Sequence, residues 1–315
     1  MHDYNKLHLA QVLFYGGHLV WAYIAWTLWR WRAARARGQA RRRGDGMLAL
    51  RLLLATLFIW MRFVEPNWIT VRETAIKLGP APATGTRVAL ISDLHLGAFN
   101  GPGLVERVAQ RVNALKPDCV LIAGDFLYAP DAPLDQLFAG FKAFRVPVYA
   151  VLGNHDNHEL PPPRGGEVPT QMLIDALARA GVPLIEDRVV DCGRLKVAGV
   201  GDLWSGRSDF QAARAYRGDA PLVLVTHNPD AAYLTPKNLS PLLLSGHTHG
   251  GQIRLPFVYH YVIPVKGPFD RGLLSPVEWS PDPAGRPAVF TTSGVGEIGL
   301  PMRLLNPPVI DLLLL

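Results

Sequence analysis

The chain has 315 residues, 49% of them hydrophobic, with a formal net charge of +6, enough for one large catalytic domain plus a membrane segment. That charge is local: Arg30, Arg32, Arg35, Arg37, Arg41, Arg42 and Arg43 lie in one short segment, whereas from Glu65 onward 22 Lys and Arg face 24 Asp and Glu. A nearly neutral body without a basic stripe excludes binding to a phosphate backbone as its main business, so no nucleic-acid partner is expected.

Leu7–Trp29 runs 23 residues without Asp, Glu, Lys or Arg, long enough for a hydrocarbon core of about 30 Å. Trp21, Trp26, Trp29 and Trp31 gather toward its far end, as an interfacial aromatic belt does. Met47–Val64 is the weaker second segment, because Arg51 and Arg62 leave only ten clean residues between them. It either spans with both arginines snorkelling or lies along the membrane surface as an amphipathic helix. If both segments span, the arginine-rich loop is cytoplasmic and the chain after Val64 emerges on the opposite side. No small-residue cleavage site follows Val64, so the anchor is read as retained. Residues 1–64 thus read as a membrane anchor, 65–86 as a linker with a Pro/Ala/Gly-rich connector at Gly79–Gly85, and 87–315 as the catalytic domain.

In that last part, apolar runs repeatedly end in polar residues able to bind metal. Arg87–Ile91 ends in Asp93 and His95, which strand alternation would point the same way. A helix is expected at Leu104–Leu115, then the strand Cys119–Ala123, which ends in Gly124-Asp125. A helix at Leu134–Phe144 leads to the strand Val146–Leu152, which ends in Gly153-Asn154-His155-Asp156. Leu160–Pro169 reads as a lid or a spacer loop. Strands are expected at Leu184–Val190, Leu195–Val200 and Leu222–Val225, the last ending in Thr226-His227. Pro241–Leu244 runs into Gly246-His247-Thr248-His249-Gly250, and Ala288–Thr292 and Val309–Leu315 close the sheets around a Ser293–Gly299 loop. Cys119 and Cys192 have no metal or redox spacing and read as small buried residues. Any single strand end could be a turn or a cap. Five together follow the rule that sites in α/β proteins gather beyond the carboxyl ends of strands. Two histidines one residue apart suit two adjacent metals, and mixed N/O donors suit Mn, Fe or Zn.

Asp93-x-His95, Gly124-Asp125, Gly153-Asn154-His155-Asp156, His227 and Gly246-His247-x-His249 stand in the order found in calcineurin-like metallophosphoesterases, which the chain resembles from Arg87 to its end. The forms ISDLHLG and SGHTHGGQ, joined to an N-terminal anchor, resemble the membrane-anchored bacterial branch. The resemblance implies an α/β fold of four layers, two packed β-sheets flanked by helices, here following an N-terminal transmembrane helical hairpin. It implies that Asp93, His95, Asp125 and His249 hold one metal and that Asp125, Asn154, His227 and His247 hold the second, with Asp125 bridging. His155 would serve the leaving group as the catalytic residue, with Asp156 orienting its loop. The expected activity is metal-dependent phosphoester hydrolysis, as a phosphodiesterase or phosphatase, at the bacterial cytoplasmic membrane with the catalytic domain outside. Apolar Ile253–Phe269 would favour a lipid-linked or cell-envelope substrate, or it is an ordinary hairpin. The alternatives are a UDP-2,3-diacylglucosamine-type pyrophosphate hydrolase of lipid A synthesis, which would work on the cytoplasmic face, and a metal-free binding scaffold.

Overall fold

Burial with period two along the first catalytic strands decides how the molecule layers. In β2 (Arg87–Ile91), Val88 and Leu90 join one apolar cluster while Ala89 and Ile91 join another. In β4 (Cys119–Ala123), Cys119, Leu121 and Ala123 face the first cluster, and Val120 and Ile122 face the second. Strands apolar on both faces need cover on both faces. This computed structural model, which describes residues 11–38, 42–79, 84–157 and 168–315, supplies it with helices outside and a second sheet inside.

The first sheet has the order β1 (Thr70–Ala75), β13 (Val309–Leu314), β2, β4, β6 (Val148–Val151). The second has the order β11 (Gly272–Leu274), β12 (Ala288–Thr291), β10 (Leu242–Ser245), β9 (Leu222–Val225), β8 (Leu195–Gly199), β7 (Val189–Cys192). A small third sheet pairs β3 (Leu96–Gly97) with β5 (Leu127–Tyr128). Leu90, Leu121, Val151, Val223, Leu244 and Phe290 fill the space between the two large sheets. The outer face of the first sheet is covered by a helix over Pro102–Leu115, where Leu104, Val105, Val108 and Val112 form one buried stripe. That helix stops at Lys116, which takes φ 49° ahead of Pro117. The mixed α/β layering is the one expected.

Four expectations need correction. The stretch 65–86 is more than a linker, because β1 adds a strand in parallel to β13 with Thr70 opposite Val309. Arg72 reaches across this pair, its Nε 2.5 Å from Oδ1 of fully buried Asp311. Arg72→Ala therefore strands a buried carboxylate and should lower stability by about 1–3 kcal/mol, read as a lower urea midpoint for the full-length protein in detergent. An unchanged midpoint would mean that β1 contributes nothing to the fold. Second, Cys119 and Cys192 are joined in a disulfide with Cα atoms 5.5 Å apart. It ties the start of β4 to the end of β7 and so links the two sheets. Closing a loop of 73 residues is worth on the order of 4 kcal/mol. Third, the helix expected at Leu134–Phe144 is a short turn of α-helix at Leu134–Leu137 followed by a 3₁₀ segment, Ala139–Ala143. A Cβ at Gly140 would press on the Pro102 carbonyl, so this segment lies close against the helix it covers. Fourth, the strand expected at Leu184–Val190 is reduced to β7, with Leu184 and Glu186 making only isolated bridges to Ala150 and Gly199.

At the N-terminus the relative standing of the two apolar segments is reversed. Among the described residues the helix long and apolar enough to cross a membrane is Gly44–Asn67, 24 residues of mean hydropathy 1.9. Leu7–Trp29 is interrupted by a turn at residues 17–18. After it, α1 (Leu19–Ala36) carries Arg30, Arg32 and Arg35; residues 7–10 lie outside the described residues. Helix α2 (Arg42–Ile59) continues through a π turn, Trp60–Val64, and a 3₁₀ turn, Glu65–Asn67. Trp31 of α1 donates to Asp45 of α2 at 2.8 Å, and Arg62, beyond α2, donates to the carbonyl of Phe14, in the helical stretch before the turn, while lying over the Phe14 ring. Leu50, Leu53, Leu54 and Leu57 point outward. Most of the expected lid or spacer, residues 160–167, lies outside the described residues.

Candidate metal centre

Beyond β2, β4, β6, β9 and β10 the chain turns sharply. Asp93, His95, Asp125, His247 and His249 all take left-handed backbone, with φ between 44° and 72°. Such conformations cost of order 1–3 kcal/mol each and persist where surrounding structure over-determines them. The common aim of Asp93 and His95 thus comes from two left-handed turns, since neither residue lies in a strand. Loop-to-loop hydrogen bonds fix these turns: Asp93 N–H donates to Gly124 O, His95 N–H to Asp125 O, and Gly246 N–H to His227 O. Gly153 is required by crowding, because a Cβ there would overlap Asp125 Oδ1.

Two clusters result. Ligand atoms of Asp93, His95 and His249 lie within 4.8 Å of one another, as do those of Asp125, His227 and His247. Asn154 joins the second group, its Oδ1 3.1 Å from His227 Nε2. Asp125 connects the groups through one oxygen: Oδ2 lies 3.5 Å from His95 Nε2 and 3.3 Å from His227 Nε2. Its other oxygen accepts the His155 backbone N–H at 3.0 Å. The His155 ring packs edge-on to His95 with centroids 5.3 Å apart, at the wall of a cavity of about 520 Å³. Asp156 is buried, and its carboxylate accepts N–H groups of Gly153, Phe126 and Leu127. It therefore holds the His155 loop against the strand end of β4.

The donor set fits metal ions. His227 Nδ1 lies 2.7 Å from Ala123 O, and His247 Nε2 lies 3.2 Å from Pro264 O. A carbonyl only accepts, so in the neutral rings these nitrogens carry the proton and the opposite nitrogens present lone pairs. Those opposite atoms, His227 Nε2 and His247 Nδ1, face each other at 3.0 Å. In the other cluster His95 Nε2 and His249 Nε2 face each other at 3.1 Å, and Asp93 Oδ1 is buried with no hydrogen-bond partner. Acceptors aimed at one another repel unless a cation sits among them, and a carbonyl behind a ring, as His227 and His247 have, is the usual way a ligating imidazole is oriented.

Electrostatics keeps three of the four imidazoles neutral and gathers positive charge at the fourth. Burial pushes His95 and His247 down to about 3, so both stay neutral and free to ligate. Burial acts the same way on His249, holding it well below its usual value. Burial would also lower His227, but Asp125, through charge and hydrogen bond, outweighs it and lifts that ring to about 10. Burial raises Asp93 to about 7 and would raise Asp125, yet the neighbouring His227 and His155 hold Asp125 well below the usual carboxylate range. Positive charge is thus favoured where Asp125 meets the second cluster.

Several residues here were not singled out from sequence. Trp204 packs its ring edge-on to His247, centroids 4.5 Å apart, and lines the cavity. Asn306 donates to the His249 carbonyl at 2.6 Å, and its own N–H donates to Glu65, at the end of the apolar helix. Fully buried Arg303 donates to the carbonyls of Ser293, Gly294 and Gly296, pinning the Ser293–Gly299 loop under Asp93. Only Trp204 had a signal: β8 also ends in Gly-Asp, at Gly201-Asp202, two residues before it.

Residues 86–251 match the model of the calcineurin-like phosphoesterase family. The chain is 26% identical over 272 residues to phosphodiesterase YaeI of Escherichia coli K12, covering 82% of this chain and 93% of that one. It is 28% identical over 269 residues to the metallophosphoesterase YkuE of Bacillus subtilis 168, covering 80% and 87%. It is 29% identical over 280 residues to a transmembrane protein with metallophosphoesterase domain from Danio rerio, covering 82% of this chain and 60% of that longer protein. With the family's strand-end residues gathered at one edge of two packed sheets, this chain belongs to the calcineurin-like phosphoesterases and is a metal-dependent phosphoester hydrolase.

Proposed function

We propose that this chain is a membrane-anchored phosphodiesterase acting on a lipid-linked or cell-envelope phosphoester, with its catalytic domain outside the cytoplasmic membrane. Asp93, His95, Asp125 and His249 hold one metal, and Asp125, Asn154, His227 and His247 hold the other, from among Mn, Fe and Zn. The observation that carries the metal assignment is Asp125 Oδ2, which faces an imidazole of each cluster within 3.5 Å. When bound, two such cations lower the pKa of water and neutralise phosphoryl oxygens. The chain's residues do the rest. Asp125 holds the two clusters in register and fixes His155 through its backbone N–H. His155, at the cavity wall, donates a proton or hydrogen bond to the departing ester oxygen. Trp204, Ile253, Leu255, Val258, Val262 and Leu300 give the cavity an apolar side suited to a lipid chain.

Two features support the sidedness. The arginine-rich segment lies before and at the start of α2, so the positive-inside rule sends the chain after Asn67 outward. The Cys119–Cys192 disulfide suits an oxidising compartment. Both weigh against the sugar-nucleotide hydrolase, which needs a cytoplasmic site, and the full donor set weighs against a scaffold. The test uses the full-length chain in nanodiscs, stripped with EDTA and reloaded with Mn²⁺, Fe²⁺ or Zn²⁺ separately. Metal should restore hydrolysis of bis-p-nitrophenyl phosphate, with lipid phosphodiesters at least tenfold better in kcat/KM and monoesters worse. Proteinase K added to spheroplasts should degrade the catalytic domain. Loss of all hydrolysis after reloading would refute the enzyme reading, and a protected domain would refute the sidedness.

A further inference from the structure

One face of the active-site cavity is built by a segment whose apolar side chains turn outward. Between Leu255 and Val262 the chain has little regular structure beyond a 3₁₀ turn at Tyr259–Val262. Phe257 is 89% exposed, Tyr261 79%, Val262 68% and Val258 51%. Isolated exposed apolar residues are ordinary, but four within six residues make a patch, and patches mark interaction sites. Phe257 also takes φ 69°, a costly conformation for a bulky side chain. Strain of this kind is retained where an outward-facing ring has a use.

The segment's neighbours say what covers it. Ile253 bridges Leu304, and Arg254 N–H donates to Leu304 O. The preceding residue, Arg303, donates its N–H to the carbonyl of Met61, inside the apolar helix Gly44–Asn67. The patch therefore begins beside a backbone bridge to Leu304, whose neighbour Arg303 contacts the candidate membrane span at Met61. Trp60, Val64, Trp68, Leu300 and Leu305, also exposed, lie on these same connected segments. Leu255, Val258 and Val262 line the cavity as well, so the patch forms the rim of the active site itself. Arg254 is tied to Asp270 at 2.9 Å and leaves no free charge at the patch's start.

The geometry points to a second membrane contact: residues 255–262 dip into the interfacial layer of the bilayer beside the anchor helix, with Phe257 and Tyr261 as the inserting rings. The cavity mouth then opens onto the headgroup layer, and a lipid phosphodiester reaches the metal centre without leaving the membrane. This deepens the proposed function and rests on it for the substrate. Phe and Tyr at the tip, with Trp60 and Trp68 at the helix end, match the amphipathic aromatics favoured at membrane interfaces.

The test labels Phe257→Cys with an NBD fluorophore in the full-length chain; the native cysteines are paired and do not react. In phosphatidylcholine/phosphatidylglycerol vesicles its emission should shift to the blue, and doxyl-labelled lipid should quench it by at least half. A water-like spectrum would overturn the proposal. So would shielding from water without doxyl quenching, which would mean that a second copy of the chain covers the patch. In parallel, Phe257→Ser/Tyr261→Ser should lower kcat/KM for a vesicle-embedded phosphodiester at least tenfold while hydrolysis of bis-p-nitrophenyl phosphate stays within twofold. Equal loss on both substrates would also overturn it. Failure of the proposed function is distinct, since the unsubstituted protein would then show no preference for lipid phosphodiesters over bis-p-nitrophenyl phosphate.

Discussion

Asp125→Asn should reduce metal-dependent phosphodiester hydrolysis by about 10³-fold or more, with the fold intact. Asp125 Oδ2 faces His95 Nε2 at 3.5 Å and His227 Nε2 at 3.3 Å. Among the described residues it is the one carboxylate oxygen directed at both imidazole groups. An asparagine of the same shape keeps the hydrogen bond that Oδ1 accepts from the His155 N–H, so the loops should stay in place. It loses the negative charge that holds two cations close together, and with it the attraction that favours positive charge at His227. Metal analysis should therefore find the content falling from about two ions per chain toward one or none, while circular dichroism and the melting curve change little. A variant that keeps two metals and activity within tenfold of the parent would remove Asp125 from its bridging role. A misfolded variant would be recognised by its melting curve, and His247→Ala then provides an independent probe of the same cluster.

Substitution of His155 should separate leaving-group chemistry from metal binding. His155→Ala is expected to lower kcat by about 10²–10⁴-fold for diesters with poor alkoxide leaving groups. It should have a much smaller effect on bis-p-nitrophenyl phosphate, whose leaving group needs no proton. Metal content should stay at two, because His155 is not itself a proposed ligand and its backbone N–H, which the substitution keeps, is what holds Asp125 Oδ1. Equal losses on the two substrate types would show that the ring positions substrate and does not assist departure of the ester oxygen. Asp156→Asn provides the matching test of a positioning residue. Its carboxylate accepts three backbone N–H groups at 2.9, 3.3 and 2.9 Å from the two loops that meet at this histidine. An amide of the same shape cannot satisfy three donors equally, and the loop should loosen. The expected signature is the same dependence on leaving group as for His155→Ala, but weaker.

The catalytic strands were legible in the sequence because each is a short run buried on both faces that ends abruptly in polar residues. Arg87–Ile91, Cys119–Ala123 and Leu222–Val225 lie where the pattern puts them. Strand ends also carry the seven proposed ligands, so local chemistry announced them before any long-range contact was known. Reading failed where periodicity was the wrong argument. Asp93 and His95 share a direction through left-handed turns, which alternation along a strand does not describe. The N-terminal segments were ranked by their charge-free length, and that measure misses a turn at residues 17–18 and cannot credit a helix that holds Arg62 over Phe14.

By itself the sequence determined the α/β class and the order of the strand-end blocks, because these depend on neighbours within a few residues, and through those blocks the resemblance that names the side chains proposed to hold two cations. Only the tertiary structure decided that Cys119 pairs with Cys192, that Thr70–Ala75 becomes a strand beside the C-terminal one, and that Asn306 braces His249 while touching the end of the apolar helix. Each of these joins residues 57 to 241 positions apart or two different sheets. No local pattern encodes such a meeting; it follows from how the two sheets pack and where that packing delivers the ends of the chain.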